Sequence, residues 1–157
     1  MRPEVFKMID RVVAIDPALN KIHCQGLVPQ ESSIFEGHFP GHPIMPGVLL
    51  IEAMAQTTGW LILARNRFEK MPFLATVKEG KLRTFVVPGQ NLDLYSEVLH
   101  EGSGFVVART QGLIEGKLIC NAELTFRVLP WPEGKMKAVV LKVAEHVNFP
   151  LTDIANA

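Results

Sequence analysis

Hydrophobic residues fall into two regimes along this chain. Between Gly47 and about Arg65 they fill nearly every position. Val48, Leu49, Leu50, Ile51, Ala53, Met54, Ala55, Leu61, Ile62 and Leu63 surround Glu52 and Gln56, which lie four apart on one face. That pattern predicts a long helix, apolar almost all round, which other structure must wrap. Pro46 suits its first helical position, where a missing N–H costs nothing. From Leu92 onward the period drops to two. Leu92, Leu94 and Val98 alternate with Asp93, Tyr95 and Glu97, and Leu118, Cys120, Ala122, Leu124 and Phe126 alternate with polar neighbours, as half-buried strands do.

Turn signals divide the remainder. Residues 3–9 suit one short helical turn, and the segments 11–15 and 22–28 read as strands either side of a turn over Asp16-Pro17-Ala18-Leu19-Asn20. A loop from Pro29 to Met45 follows, stiffened by prolines, and Asn66 to Lys70 reads as a polar connection. Phe73 to Val87 is extended and irregular. Pro88-Gly89, Gly102-Ser103-Gly104 and Glu115-Gly116 then punctuate an antiparallel meander that runs to Leu129. After Trp131-Pro132, Lys135 to Val147 forms a modest amphipathic helix. One buried helix with five or six antiparallel strands is an α+β layout, the sheet curling around the helix.

Composition narrows the partners. A chain of 157 residues with zero formal net charge and 48% apolar residues suits one globular domain, and argues against disorder or a nucleic-acid footprint. Cys24 and Cys120 are too few for a disulfide framework or a zinc site, and read as free thiols of a reducing cytoplasm. The charged N-terminus does not resemble a signal peptide. Glu52, Gln56 and several small residues speak against a membrane span in the long helix.

The chemistry gathers between Phe35 and Trp60. A carboxyl carried into an apolar interior must be hydrogen-bonded, protonated or both, and Gln56 is the nearest group to orient Glu52. His38, in the proline-bounded loop, carries an imidazole that can act as a base. The N–H groups of Gly47 and Val48 lie at the positive end of the helix, suited to an oxyanion, and the missing side chain at Gly47 allows close approach. These are parts for proton transfer beside a carbonyl.

His38-Phe39-Pro40-Gly41, Pro43-Ile44-Met45-Pro46-Gly47-Val48 and Glu52-Ala53-Met54-Ala55-Gln56 resemble the signature of the FabZ-type 3-hydroxyacyl-(acyl-carrier-protein) dehydratases. The likeness begins at Met8-Ile9-Asp10-Arg11-Val12 and runs through Val86-Val87-Pro88-Gly89 to about Arg127. It implies the hot-dog fold, a long central helix wrapped by a curved antiparallel sheet, over residues 1–130, with 131–157 as a C-terminal extension. It also implies removal of water from a (3R)-3-hydroxyacyl thioester on acyl carrier protein to give the trans-2-enoyl thioester of fatty acid biosynthesis, with no metal or cofactor. The catalytic unit it implies is a homodimer, in some relatives a hexamer formed as a trimer of dimers. His38 of one chain would take the α-proton, Gly47 would bind the thioester oxygen, and Glu52 of the other, held by Gln56, would protonate or position the departing hydroxyl. Phe39, Met45 and Met54 are candidates for an acyl tunnel, with core packing as their alternative; Trp60 shares both readings.

The chain departs from that family at His42, where lysine is common, at Gln90, where aspartate is usual, and beyond residue 130. His42 reads as loop-bracing, and His23, His100 and His146 as structural residues without partners. Lys78, Lys81 and Arg83, with Arg65, Arg67 and Lys70, could steer an acidic carrier protein. Two other functions share these residues: an acyl thioesterase, in which the helix carboxylate activates water, and a non-catalytic acyl-binding protein. A dehydratase that also isomerises its product typically carries aspartate in place of Glu52.

Overall fold

The structure, a computed structural model, describes residues 1–155, with side chains as far as residue 153. Strand β1 (Arg11–Ile15) and strand β2 (Lys21–Leu27) form a hairpin. Asp16 closes its turn by accepting from the N–H groups of Asn20 and Lys21 at 2.6 and 2.7 Å. Helix α1 (Ser33–Gly37) interrupts the loop that the sequence led us to expect without helix. Five residues are too few to show a period, and the signal is the cap: the Ser32 hydroxyl accepts from Ile34 N–H at 3.3 Å.

Helix α2 (Gly47–Arg65) has the predicted bounds. Pro46, expected at its first position, instead caps it with an extended ψ of 134°. Strands β3 (Lys70–Leu82), β4 (Asn91–Gly102), β5 (Phe105–Ile114) and β6 (Lys117–Pro130) complete one six-stranded antiparallel sheet, ordered β1-β2-β4-β5-β6-β3. A long helix against a single curved sheet of this order is the α+β layout expected. β3 begins at Lys70, so the polar connection is shorter than predicted and hides an aromatic. Positive φ at Arg67 and Phe68 reverses the chain and turns Phe68 inward, where it meets Phe149 edge-on at 5.2 Å.

The core lies between α2 and the sheet. Leu50, Ala53, Met54, Leu61 and Ile62 of the helix pack with Ile22, Leu92, Leu94, Val106, Leu124 and Phe126 of the strands. Helix α3 (Met136–His146) packs Val140, Leu141 and Val143 against this core and buries Ala144, followed by Val147 and Phe149 just beyond its end, while Val139 is 57% exposed. Helix α4 (Leu151–Ala155) follows.

In one respect the reading of α2 was too simple. Val48 is 72% exposed and Glu52 only half-buried, because this chain has one sheet and that sheet covers one side of the helix. Leu82 lies beside the first turn of this side, and Phe39, Leu74, Val77, Phe85 and Val87 are further exposed apolar side chains. β3 bonds to β6 alone, so its other edge carries unpaired backbone groups.

Candidate active site

His38 ends α1 and is held from several directions. Its Nδ1 donates to the Ile44 carbonyl at 2.8 Å, and its own carbonyl accepts from Ile44 N–H at 2.9 Å. A carbonyl can only accept, so Nδ1 carries the proton and Nε2 keeps its lone pair. Phe39 stacks on the imidazole at 4.3 Å. Backbone bonds in both directions between Phe39 and His42, at 2.9 and 2.8 Å, close the loop. Met45 N–H anchors it to Val86 O at 2.8 Å. His42 braces this turn through its backbone, and its side chain is exposed.

The first turn of α2 follows directly. Pro46 O accepts from Leu49 and Leu50 N–H at 2.9 and 3.3 Å, while the N–H groups of Gly47 and Val48 meet no backbone acceptor among the described residues. They are free to receive an oxyanion. The room expected beside Gly47 is occupied by a neighbour: a Cβ there would lie 2.3 Å from Leu82 Cδ1. Leu82 is itself 48% exposed, so the obstruction is the tip of a flexible side chain.

One turn further along, Gln56 does what its spacing predicted. Its Nε2 donates to Glu52 Oε1 at 2.9 Å and to Phe6 O at 2.6 Å, and its Oε1 accepts from Met8 N–H at 3.1 Å. The segment after the 3-10 turn Pro3–Val5 therefore fixes the amide that fixes the carboxyl. Sequence reasoning missed this support. It depends on Phe6 adopting a positive φ of 55° and on a contact fifty residues away in the chain, and neither leaves a local pattern.

Glu52 and Gln56 open into a cavity of about 850 Å³, bounded by the N-terminal segment, α2, β3 and α3. His38 does not border it, and no hydrogen bond joins His38 to Glu52 within this chain. Of the tunnel candidates, Trp60 is in its wall and Phe39, Met45 and Met54 are not. Met45 and Met54 are buried in the core, and Phe39 lies exposed on the His38 ring. Trp60, Leu63, Met71 and Phe73 are among the residues that do line it.

Elsewhere the titratable groups have structural partners. His23, expected to have none, bonds through Nε2 to Asp93 Oδ1 at 2.7 Å and stacks on Tyr95 at 4.3 Å. Burial pushes the Asp93 carboxyl up, but hydrogen bonds from Gln25 and His23, with the charges of His23 and Arg11, outweigh it and hold the group below its ordinary value. His146 Nδ1 donates to Lys142 O at 2.7 Å. Arg65 is tied to Glu101, Leu19 O and Asn20, which removes it from the free cationic patch. Burial pushes the thiols of Cys24 and Cys120 up to about 12 and about 11, so neither is a nucleophile at neutral pH. Among the described residues no group of three His, Cys, Asp or Glu side chains could hold a metal.

Comparison with known proteins identifies the family and the fold. Residues 1–123 match the FabA-like domain family. The 3-hydroxyacyl-(acyl-carrier-protein) dehydratase FabZ of Levilactobacillus brevis is 38% identical over 121 residues, which is 76% of this chain and 81% of the relative. Among solved structures, the dehydratase heterocomplex ApeI:P from Xenorhabdus doucetiae superposes with a TM-score of 0.64 at 19% identity, covering 87% of this chain and 90% of that one. A hypothetical thioesterase from Streptococcus pneumoniae, solved with coenzyme A, superposes at 0.59 with 13% identity, over 78% and 90% of the two chains. The architecture is the hot-dog fold, which serves more than one chemistry and does not choose between them.

Proposed function

The chain belongs to the FabA-like family, and on that premise we propose that it is a hydro-lyase. It dehydrates (3R)-3-hydroxyacyl thioesters carried on acyl carrier protein to trans-2-enoyl thioesters, in cytoplasmic fatty acid biosynthesis. The observation that carries the reading is the Ile44 carbonyl on His38 Nδ1. It leaves Nε2 as the base, a part that water activation by a lone carboxylate does not need. His38 Nε2 takes the α-proton, and the developing enolate oxygen receives the N–H of Gly47, with Val48 beside it. Glu52, held through Oε1 by Gln56, presents Oε2 and gives its proton to the β-hydroxyl, which leaves as water. Return of the proton from His38 to Glu52 restores both groups.

Residues 1–130 carry this chemistry, and 131–157 are an extension. His38 acts with Glu52 of a second copy. The separation of the two groups within one chain supports this, as do the exposed apolar side chains and the open edge of β3. Lys78, Lys81 and Arg83 are exposed near that edge and suit an acidic carrier protein; affinity that falls as salt rises is the expected signature, and a flat response removes the patch from the scheme.

The test compares the purified protein with Glu52→Gln on a short 3-hydroxyacyl carrier-protein substrate. Enoyl-thioester formation should fall by about a hundredfold or more in the variant. Release of free thiol instead would identify a thioesterase. A folded, acyl-binding protein without turnover would be the non-catalytic alternative.

A further inference from the structure

The family match ends at residue 123, so helix α3 needs its own account. It is attached to the core at its C-terminal end, where Ala144, Val147 and Phe149 are buried and Phe149 meets Trp60 at 5.5 Å. Val140, Leu141 and Val143 are partly buried against the core. Val139, Val140 and Val143 face the cavity, and Met136 and Val139 remain exposed. Val140 and Val143 are thus only partly covered by the core, and the rest of their surface borders the cavity.

The floor of that space is a single stripe of α2. Glu52, Ala55, Gln56, Gly59 and Leu63 follow one another at helical spacing, and all border the cavity. From Glu52 to Leu63 the stripe runs about 16 Å along the helix axis. Its polar groups are at the Glu52 end, and beyond Gln56 the floor carries no polar side chain. Gly59 lies at mid-floor, where a Cβ would meet only Pro72 Cγ, at 3.9 Å. No neighbour requires glycine there, so its effect is to deepen the cavity. A volume of about 850 Å³ falls in the range of small-molecule sites.

We infer that this cavity receives the hydrocarbon tail of the thioester and that α3, through Val140 and Val143, is the wall that limits acyl-chain length. The inference rests on the dehydratase reading for the identity of the thioester. Continuity with Glu52 supplies the direction: the reacting carbons lie at the carboxyl, and the tail follows the apolar stripe toward α3. Each methylene buried beneath the helix adds about fourfold in binding until the tail reaches the valines, after which a longer chain must displace the helix.

The test is a chain-length profile of Val143→Phe, which fills the space, and Val143→Ala, which enlarges it. On carrier-protein substrates, the ratio of kcat/KM for 3-hydroxydecanoyl over 3-hydroxybutanoyl should fall about tenfold in the first and rise severalfold in the second. Trp60 provides a readout that needs no turnover. Titration with saturated acyl-pantetheine thioesters of increasing length should change its emission only for longer tails, and V143F should shorten the longest tail accommodated. Should V143F not fold, V143A alone decides through its opposite shift. Identical length profiles in parent and variants, by either readout, overturn the inference. An inactive parent whose Trp60 response still depends on tail length would instead retain the cavity and reject the dehydratase.

Discussion

At the residue scale, the Glu52–Gln56 pair was legible because a carboxyl and an amide four apart share one face of a largely apolar helix. Its outer support was not, since Phe6 and Met8 meet Gln56 only after the chain folds. Gln56→Leu should therefore act twice. It frees the Glu52 carboxyl, lowering kcat about tenfold, and it unpairs Phe6 O and Met8 N–H, lowering stability by about 1 kcal/mol. Single-turnover kinetics and a denaturant melt separate the two effects. His23 was misjudged for a similar reason, because Asp93 comes beside it through the pairing of β2 with β4. A carboxyl held below its ordinary value stabilises the fold fully above the usual carboxylate range and loses that contribution as pH falls through the lowered value. Asp93→Asn should lower the melting temperature at neutral pH and flatten the acid limb of a melting-temperature profile against pH.

At the scale of elements, an almost unbroken apolar run behind Pro46 located α2, whereas α1 was too short to show a period. β3 was blurred by its own irregularity. Register shifts between Leu74 and Thr76 and between Lys78 and Lys81 break the alternation that marks a strand. Its residues from Leu74 onward are exposed, so no buried face imposes a pattern on them. Within α2, Gly59 weakens the helix without a packing reason. Gly59→Ala should raise the free energy of unfolding by up to about 1 kcal/mol in guanidinium titration, while making the floor of the cavity slightly shallower.

At the scale of the whole molecule, the single chain is an incomplete surface. Apolar side chains at Phe39, Val48, Val77, Leu82 and Phe85 are exposed, and one edge of β3 is open. If a second copy covers them, Phe85→Asp should reduce sedimentation mass and turnover together, and dilution of the parent should lower specific activity in the same way. Glu52 and Gln56 also bear on how the protein is made. By length and composition this helix could cross a bilayer, although 67% of its most apolar window is buried in the fold. A nascent chain has no fold to hide it. An ionised side chain within such a span costs roughly 3 kcal/mol on insertion, and Gln56, midway along the helix, adds to the penalty of Glu52. The pair that holds the candidate acid thus also marks the segment as one for the insertion machinery to pass over. Replacing both with leucine should send part of the newly synthesised protein into the membrane fraction, a loss of sorting that an activity assay alone would record only as a dead enzyme.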